Sequence, residues 1–240
     1  MSLKKRLKIV LPVYNEEKEL KTNTLKLYEF LARNLSDYDF EIQIADNAST
    51  DNTLQIGKDL VRRNSKISFL RLEEKGRGRA VKRAWANSDA DICAYMDIDL
   101  STKLTHLPKL ISAIDNDFDI AIGSRLLSSS KVVNRTIKRE ILSRVYNLII
   151  KILFNVKFSD AQCGFKAVSN KVVKKLIPNI LDNEWFFDSE LLIMGEKSGY
   201  KIYEEPVVWV DSPGSTVKVL KTVTGDLKGL WRLFITRPWR

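Results

Sequence analysis

The sequence predicts an α/β fold, a mainly parallel sheet flanked by helices on both faces. Three observations carry this. Five short apolar runs recur through the first half of the 240 residues, segments with helical spacing separate them, and the connections are short. The run Ile92–Met96 is apolar throughout, as a strand covered on both faces must be.

Residues 7–11 supply the first strand, and Pro12 is expected to close it because proline donates no ladder hydrogen bond. Residues 16–33 follow with helical spacing through Leu20, Leu27, Phe30 and Leu31. Residues 40–45 make a second strand, closed by DNASTDNT, whose Ser49 or Asp51 starts a helix to Arg63. Ile67–Leu72 is the third strand. In EEKGRGRAVKRAW two glycines stand among basic residues at a helix entrance; free N–H groups there suit a phosphate, and a plain turn is the other reading. After the fourth strand, Ile92–Met96, come a helix over 107–114 and a fifth strand over 118–122 that runs into Gly123, Ser124 and Arg125. The single histidine, His106, is expected as a cap or surface residue.

The second half breaks the alternation. Residues 126–136 are Ser-rich and predict a mobile loop. Ile137–Phe154 predicts a long helix on which Arg139, Ser143 and Asn147, four apart, form one polar stripe. DAQCGFKAV begins at Asp160, a short helix covers 171–176, and Glu190 sits on a further helix. Residues 200–210 read as extended, with Pro206 at an edge or a break. DSPGSTVK is a loop, and 219–235 is a basic amphipathic segment with Trp231 and Phe234. Nothing repeats and no linker stands out, so one domain over 1–240 is expected.

Charge narrows the partners. The 40 Lys and Arg exceed the 30 Asp and Glu by ten, which favours phosphate ligands, anionic lipid or nucleic acid, with plain solubility as the bland alternative. The basic residues are spread along the chain without a nucleic-acid motif, so a nucleic-acid-binding module is not expected. Cys93 and Cys163 lie far apart and outside any CxxC, which predicts reduced thiols and a cytosolic compartment. Pro12 ends the first apolar run too early for a signal peptide, and no window of about 18 apolar residues predicts a membrane span. The sequence carries no signal of oligomeric state.

The candidate site follows the fourth strand. In an extended chain Asp97, Asp99 and Ser101 project to one side. Two carboxylates and a hydroxyl make a hard-oxygen site for Mg²⁺ or Mn²⁺, shared with the phosphates of a ligand. Ligands of open α/β sheets bind at the carboxyl ends of strands, where these residues stand. A turn or helix cap would use the same residue types.

Five motifs occur in order: LPVYNEE, IADNASTD, DIDLST, GSR with RxxxS downstream, and DAQCGFK with WFFDSELL. Together they resemble the family-2 glycosyltransferases of GT-A fold, and within them the polyprenyl-phosphate sugar synthases. QCGFK and FDSELL look most similar to the dolichyl-phosphate β-glucosyltransferases, with the mannose synthases next. The resemblance implies a nucleotide-sugar half over 1–125, an acceptor half over 126–218 and an amphipathic tail over 219–240. It implies that Pro12, Tyr14 and Glu16 cradle base and ribose and that Asp46 reads the base edge, although DNAS stands where the family commonly has DDGS. Asp97, Asp99 and Ser101 match nucleotide and metal positions; the mannose synthases often have Gln at the last of these. Arg125, Arg139 and Ser143 match an acceptor-phosphate pocket, for which two guanidiniums and a hydroxyl are suited. Asp160, Asp188 and Glu190 match acidic acceptor-side positions, and Lys218 matches a late basic residue near the donor diphosphate.

The implied reaction is metal-dependent, inverting transfer of a hexose from a nucleotide sugar, UDP-glucose first and GDP-mannose second, to a polyprenyl phosphate. A phosphate monoester, with a second pKa of about 6, is already an anion at neutral pH and needs no general base. The expected location is peripheral, on the cytoplasmic face of a membrane. Helix Ile137–Phe154 and the tail would lie in the headgroup layer, although the first of them could equally complete the core. The competing reading is a family-2 enzyme with a polysaccharide or glycan hydroxyl acceptor, for which a phosphate pocket would serve no purpose.

Overall fold

In the computed structural model of the protein, residues 4–86, 88–211 and 219–239 are described. The first half runs β1 (Arg6–Val13), α1 (Leu20–Asn34), β2 (Asp39–Asn47), α2 (Thr53–Arg63), β3 (Ile67–Leu72), α3 (Arg77–Ala86), β4 (Ile92–Met96), α4 (Leu107–Asp115) and β5 (Ile120–Ser124). The second half runs β6 (Lys131–Val133), α5 (Ile137–Phe154), β7 (Phe165–Ser169), α6 (Asn170–Lys175), α7 (Phe187–Lys197), β8 (Ile202–Pro206), β9 (Val208–Val210) and α8 (Val219–Thr236).

The seven-stranded sheet has the order β3-β2-β1-β4-β7-β5-β8, and β6 and β9 form a separate parallel pair. Alternate residues of one strand enter opposite cores, because side chains on a strand alternate. Thus Ile92, Ala94 and Met96 of β4 pack with α1, α2 and α4, whereas Cys93 and Tyr95 pack with α3 and with α5 to α8. Both cysteines are free and buried, and burial pushes the Cys93 thiol up to about 11 and that of Cys163 to about 12.

Four expectations change. β1 continues through Pro12 to Val13: its pairing with β4 ends at Val10, so the missing N–H costs no bond on that side. The run FKAVS forms β7, inserted antiparallel between β4 and β5, which makes the sheet mixed. Residues 126–136 contain β6, where β-branched Val132 and Val133 pair with Trp209 and Val210. His106 holds the N-cap position of α4, as expected, but its side chain makes no cap bond and is an internal tie: Nδ1 lies 3.0 Å from Glu205 Oε1 and Nε2 accepts from the Val208 N–H.

Local rules set the helix ends that matter for the site. The Thr136 side chain caps α5 by accepting from the Arg139 N–H, and Asn155 ends that helix with a left-handed φ of 50°. The stripe of Ser143 and Asn147 faces inward. Asn147 donates to the Ser143 carbonyl and accepts from the Ala161 N–H at 2.8 Å, which fixes the loop that presents Asp160.

Candidate functional site

Three neighbouring strands end in residues with left-handed backbones: Asn15 (φ 55°) after β1, Ala48 (61°) after β2 and Leu100 (50°) after β4. For Ala48 and Leu100 this geometry is costly, and such strain collects at functional sites. The loops are pinned to one another. Ser49 Oγ accepts from the Asn15 N–H at 2.9 Å, and Thr53 Oγ1 accepts from the Glu16 N–H at 2.8 Å.

Asp46 is fully buried at this junction. It accepts from the Ser49 N–H and pairs with Arg71, which also donates to the Ser49 carbonyl. Arg71, at the end of β3, was not anticipated from the sequence. Pro12 pairs in register with Ala45 beside the junction. Lys75 Nζ covers the Tyr14 ring at 3.3 Å from its centroid. Glu16 is half-buried among acids, and burial, Glu19 and Asp99 together raise its carboxyl to about 7.

β4 ends at Met96 and the chain turns through residues 97–100, the Leu100 N–H donating to the Asp97 carbonyl at 3.2 Å, so the extended backbone expected through Asp97, Asp99 and Ser101 does not form. The Asp97 Oδ1 accepts from Arg77 at 2.7 Å, and the other arm of the same guanidinium reaches Asp188 at 2.6 Å. Its second oxygen faces Gly164, where any Cβ would stand 2.0 Å away. Asp99 accepts from both the backbone and the hydroxyl of Ser101, at 2.9 and 2.7 Å. Burial and the charge of Asp97 raise the Asp99 carboxyl above its usual range. This negative pair fits a divalent cation as a two-carboxylate, hard-oxygen site; Ser101 orients Asp99, and no cluster of three or more acidic, His or Cys ligands occurs among the described residues.

Arg77 belongs to the glycine-rich helix entrance. The N–H groups there are already spent: Gly76 donates to Asn47, Gly78 to the Glu184 carbonyl and Arg79 to the Asn183 carbonyl. The glycines serve close backbone packing, since a Cβ on Gly78 would lie 2.5 Å from that of Phe187. Beneath this entrance Lys166, fully buried, donates to Asp188 at 2.8 Å and to the Cys163 carbonyl. Burial would raise the Asp188 carboxyl; Lys166 and Arg77 outweigh it and hold it below the usual range.

Of the residues matched to an acceptor side, Arg125 and Asp160 meet at the end of β5. Arg125 grips Asp160 through Nε at 2.8 Å and Nη2 at 2.9 Å, and its own N–H adds a third bond. Against the cost of burial, this arginine holds the Asp160 carboxyl at about 2. Trp209 lies 5.0 Å from the Arg125 guanidinium. Arg139 pairs with Asp211 across from β9, and Ser143 Oγ is buried without a hydrogen-bond partner. Glu190 is a structural joint, accepting from Arg232 of α8 at 2.8 and 3.0 Å and from the N–H groups of Leu181 and Asp182. Lys218 lies outside the described residues.

A sequence profile described as glycosyl transferase family 2 matches residues 8–177, more than half of the chain. The chain belongs to glycosyl transferase family 2. It is 31% identical over 236 residues to glycosyltransferase AglD of Haloferax volcanii, covering 96% of this chain and 38% of that protein. It is 28% identical to the dolichyl-phosphate beta-glucosyltransferase of Dictyostelium discoideum, covering 87% of this chain and 68% of the relative. The Saccharomyces cerevisiae protein of the same name is 27% identical, with the same two coverages, 87% and 68%. The chain thus spans well under half of one relative and about two thirds of the others. Among solved structures, glucosyl-3-phosphoglycerate synthase from Mycobacterium tuberculosis, in complex with Mn²⁺, UDP and phosphoglyceric acid, superposes with a TM-score of 0.68. That match is 16% identical and covers 97% of this chain and 78% of that one. The likeness establishes the GT-A fold.

Proposed function

We propose that this chain transfers a hexose from a nucleotide sugar to a polyprenyl phosphate at a membrane surface, with UDP-glucose the first donor and GDP-mannose the second. The observation that carries the reading is the buried Ser143 hydroxyl, which has no partner among the described residues and lies one turn from Arg139 on α5. A buried hydroxyl without a partner suits a phosphate oxygen, and Arg139, about half exposed and paired with Asp211, stands on the same helix to serve the same anion. The names of the relatives in Dictyostelium and yeast point to the same acceptor and to glucose.

Donor and acceptor would meet between the two halves of the site. Tyr14, Glu16 and Asp46 would receive the nucleoside and Lys218 its diphosphate. Asp97 and Asp99 would hold Mg²⁺ or Mn²⁺, which supplies countercharge to the departing diphosphate when bound. Arg125 and Asp160, locked together, would form the rigid wall against which Arg139 and Ser143 hold the lipid phosphate. A phosphate oxygen bonds to the anomeric carbon as the bond from that carbon to the nucleoside diphosphate breaks, on opposite faces, with inversion. The acceptor is already ionised, so none of these side chains need take its proton.

The membrane-facing element would be α5. Its residues Ile137 and Ile152 are 79% and 72% exposed, and Ile141, Leu142, Val145 and Leu148 are exposed between them. On α8, in contact with α5, Trp231 is 66% exposed. An apolar strip bordered by Lys138, Arg144 and Lys151 matches the chemistry of an anionic headgroup layer, and no described helix is long and apolar enough to cross a membrane.

The test is a transfer assay read by mass spectrometry, offering UDP-glucose and GDP-mannose with a polyprenyl phosphate and Mn²⁺, beside Asp99→Ala and Arg139→Ala. A glycosylated lipid phosphate formed from one donor and lost in both variants supports the reading. Transfer only to a non-phosphorylated acceptor, with Arg139→Ala silent, overturns it.

A further inference from the structure

We infer that Arg135, on the segment leading into α5, is an acceptor-anion ligand of this pocket, contacting the phosphate monoester directly. The inference rests on the phosphate-acceptor reading above and adds to it a residue that precedes the RxxxS motif.

The side chain of Arg135 is 10% exposed, yet its guanidinium is poorly satisfied. Nη1 lies 3.0 Å from Glu140 Oε2 but off the direction of a hydrogen bond, and it is a buried donor without a partner. Nη2 makes one long bond, 3.4 Å, to the Arg139 carbonyl. Glu140 is itself shared, taking Arg144 at 2.6 Å on its other oxygen. A guanidinium carries five donors, and burial makes each unmet one costly.

The neighbouring arginines are differently employed. Arg125 spends Nε and Nη2 on Asp160, and Arg139 is about half exposed and paired with Asp211. Across the cluster four guanidiniums, of Arg125, Arg135, Arg139 and Arg144, face three carboxylates, of Asp160, Glu140 and Asp211. The excess is positive, and Arg135 lies where it is felt. Burial and the charges of Arg125 and Arg139 make it less basic than an ordinary arginine. An oxyanion that accepts from Nη1 would satisfy the donor and offset the excess charge together. Ser143 Oγ, another buried polar atom without a partner among the described residues, lies one turn beyond Arg139 on the same helix face.

The experiment compares Arg135→Gln, Arg135→Lys and Arg139→Gln with the unaltered chain, using farnesyl phosphate as acceptor and farnesol as control. Thermal melting accompanies the kinetics. The expected result is an acceptor KM raised about tenfold or more in Arg135→Gln, the loss of one charged hydrogen bond, with donor KM unchanged. Arg135→Lys should recover part of it, and both variants should melt cooperatively. An unchanged acceptor KM in Arg135→Gln, or a fall in kcat alone with both KM values fixed, overturns the inference. If Arg139→Gln raises acceptor KM and Arg135→Gln does not, only the role of Arg135 falls. If the unaltered chain transfers nothing to farnesyl phosphate or a longer polyprenyl phosphate, the acceptor reading falls and this inference with it. Should Arg135→Gln fail to fold, Arg135→Lys decides by the same KM split.

Discussion

One guanidinium ties the end of β4 to α7: Arg77 donates to Asp97 with one arm and to Asp188 of α7 with the other, at 2.7 and 2.6 Å. The pair with Asp188 is buried, and removing one partner of such a pair costs about 3–5 kcal/mol because the other charge is left behind. Arg77→Met should therefore lower the unfolding free energy by about that amount in urea titrations. Arg77→Lys should lose less stability but still weaken UDP binding, because a single ammonium cannot span both carboxylates. Equal UDP affinity in Arg77→Lys and the unaltered chain would show that Arg77 does not aim Asp97.

Gly164 tests the same carboxylate from its other side. A Cβ there would lie 2.0 Å from Asp97 Oδ2 and 2.7 Å from Arg77 Nη2, so Gly164→Ala must push one of them aside. Nucleotide binding by calorimetry should weaken at least tenfold, about 1.4 kcal/mol, while circular dichroism stays that of a folded α/β protein. Unaltered binding would place the nucleotide away from Asp97.

Two carboxyls, Asp226 buried and Glu16 half-buried, stand well above their usual range. Burial and the charges of Asp182 and Asp188 raise Asp226 to about 7, and Glu16 stands at about 7 as well. An acid whose folded pKa lies above its unfolded value favours the folded state while protonated, and that contribution disappears as pH rises through the folded value. From these two groups stability should fall between about pH 4 and 7 and level off above. Asp226→Asn keeps an acceptor for Gln162, which donates to Asp226 at 3.2 Å, and removes the titration. Melting temperatures across pH should show a flatter profile in the variant, with the gain largest above pH 7.

How much of this was legible beforehand follows from what each signal depends on. β1, β4 and β5 were visible because burial on both faces leaves an apolar run, β2 by its alternation of buried and half-buried residues, the edge strand β3 by its Ile, Phe and Leu residues, and Asp97 and Asp99 because an acidic pair follows an apolar run. β7 was hidden: its Lys166 is a buried charge inside FKAVS, made tolerable by Asp188 from a helix more than 20 residues later. The sequence marks Arg77 only as one of the basic residues at the glycine-rich helix entrance and Arg71 not at all, since nothing local distinguishes an arginine that grips a buried carboxylate. The partnership of Arg125 with Asp160 is equally nonlocal, although each was marked separately by its motif. Periodicity also marked α5 as amphipathic without telling which of its faces meets the core.

That last ambiguity leads to a prediction about the membrane. Only Ser143, Asn147, Ile150 and Phe154 of α5 are buried, and six of its apolar residues, Ile137 to Ile152, remain in solvent. Ile137 and Ile152 are the most exposed of these, so Ile137→Ser and Ile152→Ser should each move stability by no more than about 0.5 kcal/mol. The same pair should lose much of the attraction to vesicles of phosphatidylcholine and phosphatidylserine, since burying one isoleucine is worth about 1.5–3 kcal/mol. Sedimentation with such vesicles should show binding weakened at least tenfold, and transfer to a lipid-embedded polyprenyl phosphate should fall in parallel. Transfer to detergent-solubilised farnesyl phosphate should be unchanged, because the arginine pocket is intact. If vesicle binding survives in the double variant and disappears in Trp231→Ser, the membrane contact lies on α8 instead.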